Sequence, residues 1–204
     1  MELIEEGGLV MWPLLALSVL IVAVIVDRFL VFTTLPLFDA ETENRLVAAA
    51  RGEKVEETLA EAGEKSPPLK PLVEILLGRD ERSVREGKAA IAIEEVVRGL
   101  DKRVGFLGLA SRVAPLLGLL GTVIGMIETF SRLASASGAI DMTLLADGIW
   151  QALLTTAAGL LIAIPAVIAQ GGFQRREEQV SFALTRLANR IFLGQAGKAA
   201  GQVS

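Results

Sequence analysis

The residues of this chain that could do chemistry are a few threonines, a glutamine and a glutamate set among small apolar side chains. Gly118, Thr122, Gly125 and Thr129 recur at intervals of four, three and four, which places them on one face of a helix. Gly148, Ala152, Thr156, Gly159 and Ala163 form a second face, with Gln151 and Thr155 stacked on the side adjoining it. Hydrocarbon supplies no hydrogen bonds, so polar groups in such surroundings face another helix or an aqueous path. Two readings stand. In one, the stripes only let helices pack closely: Gly121 and Gly125 make a GxxxG pair, and each Thr hydroxyl bonds the carbonyl one turn back. In the other, Thr122, Thr155, Thr156 and Gln151 wall a conduit and hydrogen-bond water or a partner's carboxylate. Close packing has no need of Gln151, whereas ion conduction does. No carboxylate sits mid-membrane, since Glu128 falls in the outer half of its span and Asp27 at the edge of the first. The second reading therefore puts the proton carrier on another chain and leaves Glu128 as a candidate for the entry path.

The elements that must position these residues are membrane helices. Crossing about 30 Å of hydrocarbon takes about 20 apolar residues, and residues 9–26, 113–130 and 148–169 approach that length. The first stretch is uncharged, opens on Met11-Trp12-Pro13, where an aromatic anchor and a first-turn proline suit a helix start, and ends at Asp27-Arg28. It is longer than a signal-peptide core and no basic segment precedes it, so a retained helix is expected. Pro115 and Pro165, inside the other two stretches, read equally as pore-shaping kinks and as prolines tolerated within packed membrane helices.

Basic residues orient the spans. Residues 1–8 carry no Lys or Arg, whereas the long connection holds Arg28 at one end and Lys102, Arg103 and Arg112 at the other, and the tail opens with Arg175-Arg176. The connection and the tail are expected on the cytoplasmic side, with the N-terminus outside. Asp27-Arg28 reads as an interfacial pair, and Arg175-Arg176 as topology and anionic-lipid contact. The chain divides into a short external N-terminus and first span (1–30), a cytoplasmic helical insertion (31–105), a second span (106–133), a short periplasmic loop (134–146), a third span (147–170) and a cytoplasmic tail (171–204). Within the insertion, helices are predicted over 39–50, 55–62, 69–77 and from Ser83 onward, with a break at Ser66-Pro67-Pro68. Ser83 and Glu86 match a capping box, and with no stop before the membrane the last helix is predicted to run on into the second span, about 75 Å from Val84 to Leu133. The third span is predicted to pass Gly171-Gly172 into an amphipathic helix carrying Val180, Leu184, Leu187 and Ile191.

Composition agrees with a membrane class: 52% of the 204 residues are hydrophobic and the mean hydropathy is +0.52, above the ordinary soluble range. A net charge of -4 offers nucleic acid no basic surface. With no Cys and no His, thiol nucleophiles, disulfides, Cys/His metal sites and imidazole bases all drop out, and no metal or cofactor is expected. An intramembrane protease would need an Asp pair or a Ser/His or metal arrangement, so the reading is of a protein that is not an enzyme.

Two blocks then carry a resemblance. Ala114-Pro115-Leu116-Leu117-Gly118-Leu119-Leu120-Gly121-Thr122-Val123 followed by Gly125-Met126-Ile127, and Ala152-Leu153-Leu154-Thr155-Thr156-Ala157-Ala158-Gly159-Leu160 followed by Ala163-Ile164-Pro165-Ala166, resemble the second- and third-helix signatures of MotA/TolQ/ExbB proteins. The resemblance covers essentially the whole chain, and three spans fit the ExbB and TolQ branches rather than the four-span flagellar one. It implies an all-α membrane protein with long cytoplasmic helical extensions, pentameric around a central pore in the bacterial inner membrane. It implies as partners a small single-span ExbD- or TolR-like protein with one intramembrane aspartate and a TonB- or TolA-like protein that is driven. Thr122 and Thr156 take the family's pore-threonine positions, whereas Gln151 stands where ExbB and TolQ chains commonly carry glutamate. The resemblance thus gives Gln151 an orienting role and leaves proton transfer to the partner. The competing class is a passive membrane scaffold.

Overall fold

The computed structural model describes residues 8–34, 40–50, 55–78, 80–135 and 142–201. Among them the order is α1 (Met11–Thr34), α2 (Ala40–Ala50), α3 (Val55–Lys65), a 3-10 turn (Pro67–Leu69), α4 (Lys70–Leu77), α5 (Arg82–Asp101), α6 (Val104–Ser135) and α7 (Met142–Gly201), with no strand. Windows long and apolar enough to span a membrane occur in α1, α6 and α7. The chain is an all-α, multi-pass membrane protein.

It forms two compact units, one of residues 1–28 and 103–173, the other of 29–102 and 174–204. In the first, α1 lies against both α6 and α7. Val10 and Leu14 of α1 join Ala114 of α6 and Ala163 of α7, with Leu117, Ile124, Ala158 and Ile162 packed around them. Ile21 similarly meets Leu107, Ala110 and Ala166. α1 opens on Gly8, whose φ of 69° is a conformation that favours glycine, and whose carbonyl accepts the Met11 N–H at 3.1 Å. Pro13 falls in the first turn, where a missing N–H breaks no helical bond.

In the second unit, Leu46, Leu69, Leu72, Val73 and Leu76 are almost wholly buried, as are Val180, Leu184, Leu187 and Ile191 of the tail. The amphipathic tail and the Ser66-Pro67-Pro68 break thus appear as the sequence predicts. Glu43 anchors the tail: its carboxylate accepts hydrogen bonds from Arg186 at 3.2 Å and Arg190 at 3.0 Å. Arg85 is buried because its guanidinium donates to the carbonyls of Leu76 (3.1 Å) and Asp80 (2.9 Å) and lies 5.7 Å from the Phe192 ring centre.

Three expectations are corrected. The helix from Ser83 does not run unbroken into the second span: α5 stops at Asp101 and α6 starts at Val104, with Arg103 at φ 81° between them. A left-handed arginine is costly, and an ion pair from Arg103 Nη1 to Asp27 Oδ1 at 2.7 Å holds it there. Ser83 does not cap α5, which begins a residue earlier with Glu81 at the N-cap; Glu86 pairs instead with Arg82 at 2.7 Å. The segment between the second and third spans is also more helical than expected, since 134–135 belong to α6 and 142–146 to α7, while 136–141 lie outside the described residues.

Candidate functional site

The small residues do their first work at the seam between α6 and α7. A β-carbon placed on Gly159 would sit 2.6 Å from the Ala114 carbonyl oxygen and 3.2 Å from Gly118 Cα, and one on Gly118 would sit 2.9 Å from the Thr155 carbonyl oxygen. Backbone therefore meets backbone here, which only glycine allows. One on Gly121 would lie 2.6 Å from Thr155 Oγ1, and one on Gly148 would strike the Thr129 hydroxyl. Gly125 is different, since its nearest neighbour would be Ala152 Cβ at an ordinary 3.6 Å. The GxxxG pair is thus tight at Gly121 and relaxed at Gly125. α6 and α7 pass through Pro115 and Pro165 without a break, Pro115 half-buried and Pro165 exposed.

Each threonine has a definite place. Thr155 is 1% exposed, and its hydroxyl donates to the carbonyls of Ala152 (2.7 Å) and Gly118 (3.3 Å). Thr156, half-buried, donates to the same Gly118 carbonyl at 3.3 Å. Thr129 donates to Gly125 at 2.7 Å and Thr122 to Leu119 at 2.7 Å, both within α6. The local bonding of the packing reading is therefore realised for Thr122, Thr129 and Thr155, while Thr155 and Thr156 also reach across to the Gly118 carbonyl of the other helix.

What separates these residues is the position of α1. It covers the flank of the α6–α7 pair that carries Leu117, Ile124, Ala158 and Ile162. Helical spacing puts Thr155 and Gln151 on that covered flank and Thr156 on the other. Gln151 Nε2 lies 2.8 Å from where a Gly8 β-carbon would be, so its amide packs on the turn that begins α1. On the open flank, Thr122 edges a groove formed with Val123, Met126, Ile127 and Phe130. Thr122 and Thr156 thus share the open side of the pair, and Gln151 is not among them. Glu128 is exposed in the last turns of α6, beyond Thr122 and next to Thr129 in the chain. No group of three or more acidic side chains able to hold a metal occurs among the described residues.

Residues 37–185 match the MotA/TolQ/ExbB proton channel family. The chain belongs to that family. Among individual members, it is 39% identical over 173 residues to the biopolymer transport protein exbB1 of Vibrio cholerae, covering 81% of this chain and 75% of that one. It is 40% identical over 106 residues to the Tol-Pal system protein TolQ of Pseudomonas aeruginosa, covering 50% of this chain and 46% of that one. It is 35% identical over 101 residues to the biopolymer transport protein ExbB of Pseudomonas putida, covering 48% of this chain and 30% of that one. The last two matches span less than half of those relatives.

The family assignment explains why the two signature blocks carry so much glycine and alanine, since both run along the α6–α7 seam. Sequence reasoning did not find the Gly8–Gln151 contact or the Arg103–Asp27 pair, which join residues more than seventy positions apart. Only the unusual Gly7-Gly8 doublet before α1 hinted at the first.

Proposed function

We propose that this chain is an inner-membrane subunit of a proton-driven motor of the ExbB/TolQ type. In this reading several copies, five by family analogy, put the open flanks of their α6–α7 pairs around a central pore. The pore holds a membrane helix of a small single-span partner with one carboxylate, and Thr122 and Thr156 line the path of that carboxylate. The observation that carries the reading is that both threonines fall on the flank α1 leaves uncovered. The conduit needs nothing from Gln151 beyond holding the Gly8 turn, and Glu128 stands at the outer end as a candidate entry group. An ExbB-type load, a TonB-like protein spanning the periplasm, is favoured over a Tol-Pal one because the exbB1 match extends over 81% of the chain and the TolQ match over 50%. One charge crossing the membrane yields about 2.3 kcal/mol per 100 mV, several times thermal energy, so a lining that neither blocks nor traps the carrier suffices.

The passive-scaffold reading draws on the backbone contacts at Gly118 and Gly159, which hold helices together whether or not anything is conducted. Thr122→Val and Thr156→Val, singly and together, separate the two. With assembly checked by co-purification of the partner, rescue of a strain lacking its own motor subunit is expected to fail in the double variant and to survive in the Thr→Ser pair. Full rescue by the double valine variant would return both residues to packing.

A further inference from the structure

Nothing in the residues between α5 and α6 stops a helix. The segment Gly99-Leu100-Asp101-Lys102-Arg103-Val104-Gly105 holds no proline, and a helix that ends by its own sequence commonly does so on a glycine in the left-handed conformation. Gly99 and Gly105 do not take that place. One lies inside α5 and the other inside α6, and a β-carbon on either would find nothing within 4 Å. Arg103 takes it instead at φ 81°, the only non-glycine residue with a positive φ among the described residues. Lys102 before it is also out of helical conformation, at φ −52° and ψ 115°.

The buried positions nevertheless keep helical spacing straight through the junction. Ala89, Ile93 and Leu100 of α5 are followed by Val104, Leu107, Ser111 and Ala114 of α6, at intervals of four, seven, four, three, four and three. One helix over 82–135 would carry the same residues on one face. Two backbone residues therefore separate the structure from an unbroken helix. What holds them is the carboxylate of Asp27, whose Oδ1 accepts from Arg103 Nη1 at 2.7 Å while Oδ2 accepts from Arg28. A left-handed arginine is disfavoured roughly tenfold, and an ion pair whose arginine is more than half exposed contributes about that much or less. The two effects nearly cancel, so the junction is poised.

We propose that the α5–α6 junction is a two-state element: it stays broken while Asp27 holds Arg103, and it closes into one helix over 82–135 when that carboxylate is neutralised or drawn away. Closure returns Arg103 to the right-handed region and gives the first-turn N–H groups of α6 the carbonyl partners that a helix start lacks. The Phe106 N–H, which donates to the Arg103 carbonyl at 3.1 Å, passes to that of Lys102. The use of such an element rests on the motor reading. α6 carries Thr122, and a continuous helix passes a tilt or rotation of α6 on into α5, whereas a two-residue break absorbs it. Asp27 thereby sets whether movement at the conduit reaches the 31–105 insertion.

The test is hydrogen–deuterium exchange of the full chain in mild detergent, read by mass spectrometry on peptides covering 102–107 and expressed as protection relative to each variant's own unfolded rates. Losing a contact that merely braces the junction speeds exchange there, whereas closure slows it. Asp27→Asn and Arg103→Ala are both expected to raise protection roughly tenfold, since each removes the pair and leaves a residue that disfavours the left-handed region. Arg103→Gly removes the same pair but keeps the turn, and is expected at or below wild-type protection. Arg103→Ala leaves the Asp27–Arg28 pair in place, so it decides the matter if Asp27→Asn unfolds, which faster exchange over 114–125 would reveal. Faster or unchanged exchange at 102–107 in Arg103→Ala or in a folded Asp27→Asn, or equal protection in Arg103→Gly and Arg103→Ala, would overturn the proposal. The expected protection together with full rescue by the Thr122→Val, Thr156→Val double variant would keep the two-state junction and remove only its use in a motor.

Discussion

Replacing Gly159 by alanine probes the α6–α7 seam where it is least able to yield. The new β-carbon would stand 2.6 Å from the Ala114 carbonyl oxygen and 3.2 Å from Gly118 Cα. Both are backbone atoms, so no rotamer relieves the contact. The helices must part by 3.4 − 2.6, about 0.8 Å, to reach ordinary contact. Overpacking of this kind costs about 1–3 kcal/mol. Parting also withdraws the Thr155 and Thr156 hydroxyls from the Gly118 carbonyl, already 3.3 Å away, and interhelical hydrogen bonds in membranes contribute about 0.6 kcal/mol each. Alanine returns up to about 1 kcal/mol of helix propensity, leaving a net loss of roughly 1–3 kcal/mol. Gly125→Ala is the control, because its β-carbon would meet Ala152 Cβ at 3.6 Å. It should therefore gain the propensity without the clash. Unfolding by sodium dodecyl sulfate from mild detergent micelles, followed by far-UV circular dichroism, measures both. If Gly159→Ala unfolds at the wild-type midpoint, or if the two variants cannot be told apart, the close backbone approach is wrong.

Other outcomes follow from single contacts. Gly8→Ala should destabilise the protein by about 1–2 kcal/mol for its left-handed φ alone, with a further loss against Gln151 that Gln151→Ala relieves in the same unfolding titration. Glu43→Ala should cost roughly 1–2 kcal/mol by releasing Arg186 and Arg190, read as faster proteolysis of the tail. Glu177 has its pKa raised, first by partial burial and then by the charges of Asp101 and Glu178. Its contribution is therefore most favourable below the ordinary glutamate pKa and is lost as pH rises through the raised value. Glu177→Gln should accordingly raise the melting temperature at pH 7 and leave it unchanged near pH 4, as read by thermal scans at the two pH values. A Glu64→Cys variant, whose exposed thiol would be the only one in the chain, should resist an impermeant external reagent in intact cells and react once the cells are permeabilised if the 31–105 insertion is cytoplasmic.

Much of the fold could be read from the residues because it rests on local pattern. Three apolar stretches free of Lys and Arg became parts of α1, α6 and α7, and Val180, Leu184, Leu187 and Ile191, picked by spacing, are each no more than 2% exposed. The break after Asp101 was not legible. Nothing in Lys102-Arg103 marks a turn, and the left-handed arginine is fixed by a carboxylate seventy-six positions earlier. The different surroundings of the two α7 threonines were not legible for a related reason. Thr155 and Thr156 flank the seam at similar angles, and spacing by threes and fours admits either. Which one is buried depends on where α1 lies, and that is a tertiary fact. Gln151 is read into the conduit from its polarity and from the family alignment, and neither signal could show its contact with Gly8, 143 positions away.

The hydroxyl of Thr122 has one proton and gives it to the Leu119 carbonyl. While that bond holds, the oxygen can only accept. A carboxylic acid arriving beside it can donate to it, whereas the conjugate base cannot, since it brings only lone pairs to another lone pair. In the proposed conduit the open flank would act at this residue as a filter on protonation state: it would welcome a carrier that has been loaded and offer nothing to one that has been emptied, unless the Thr122 rotor first turns away from its own helix.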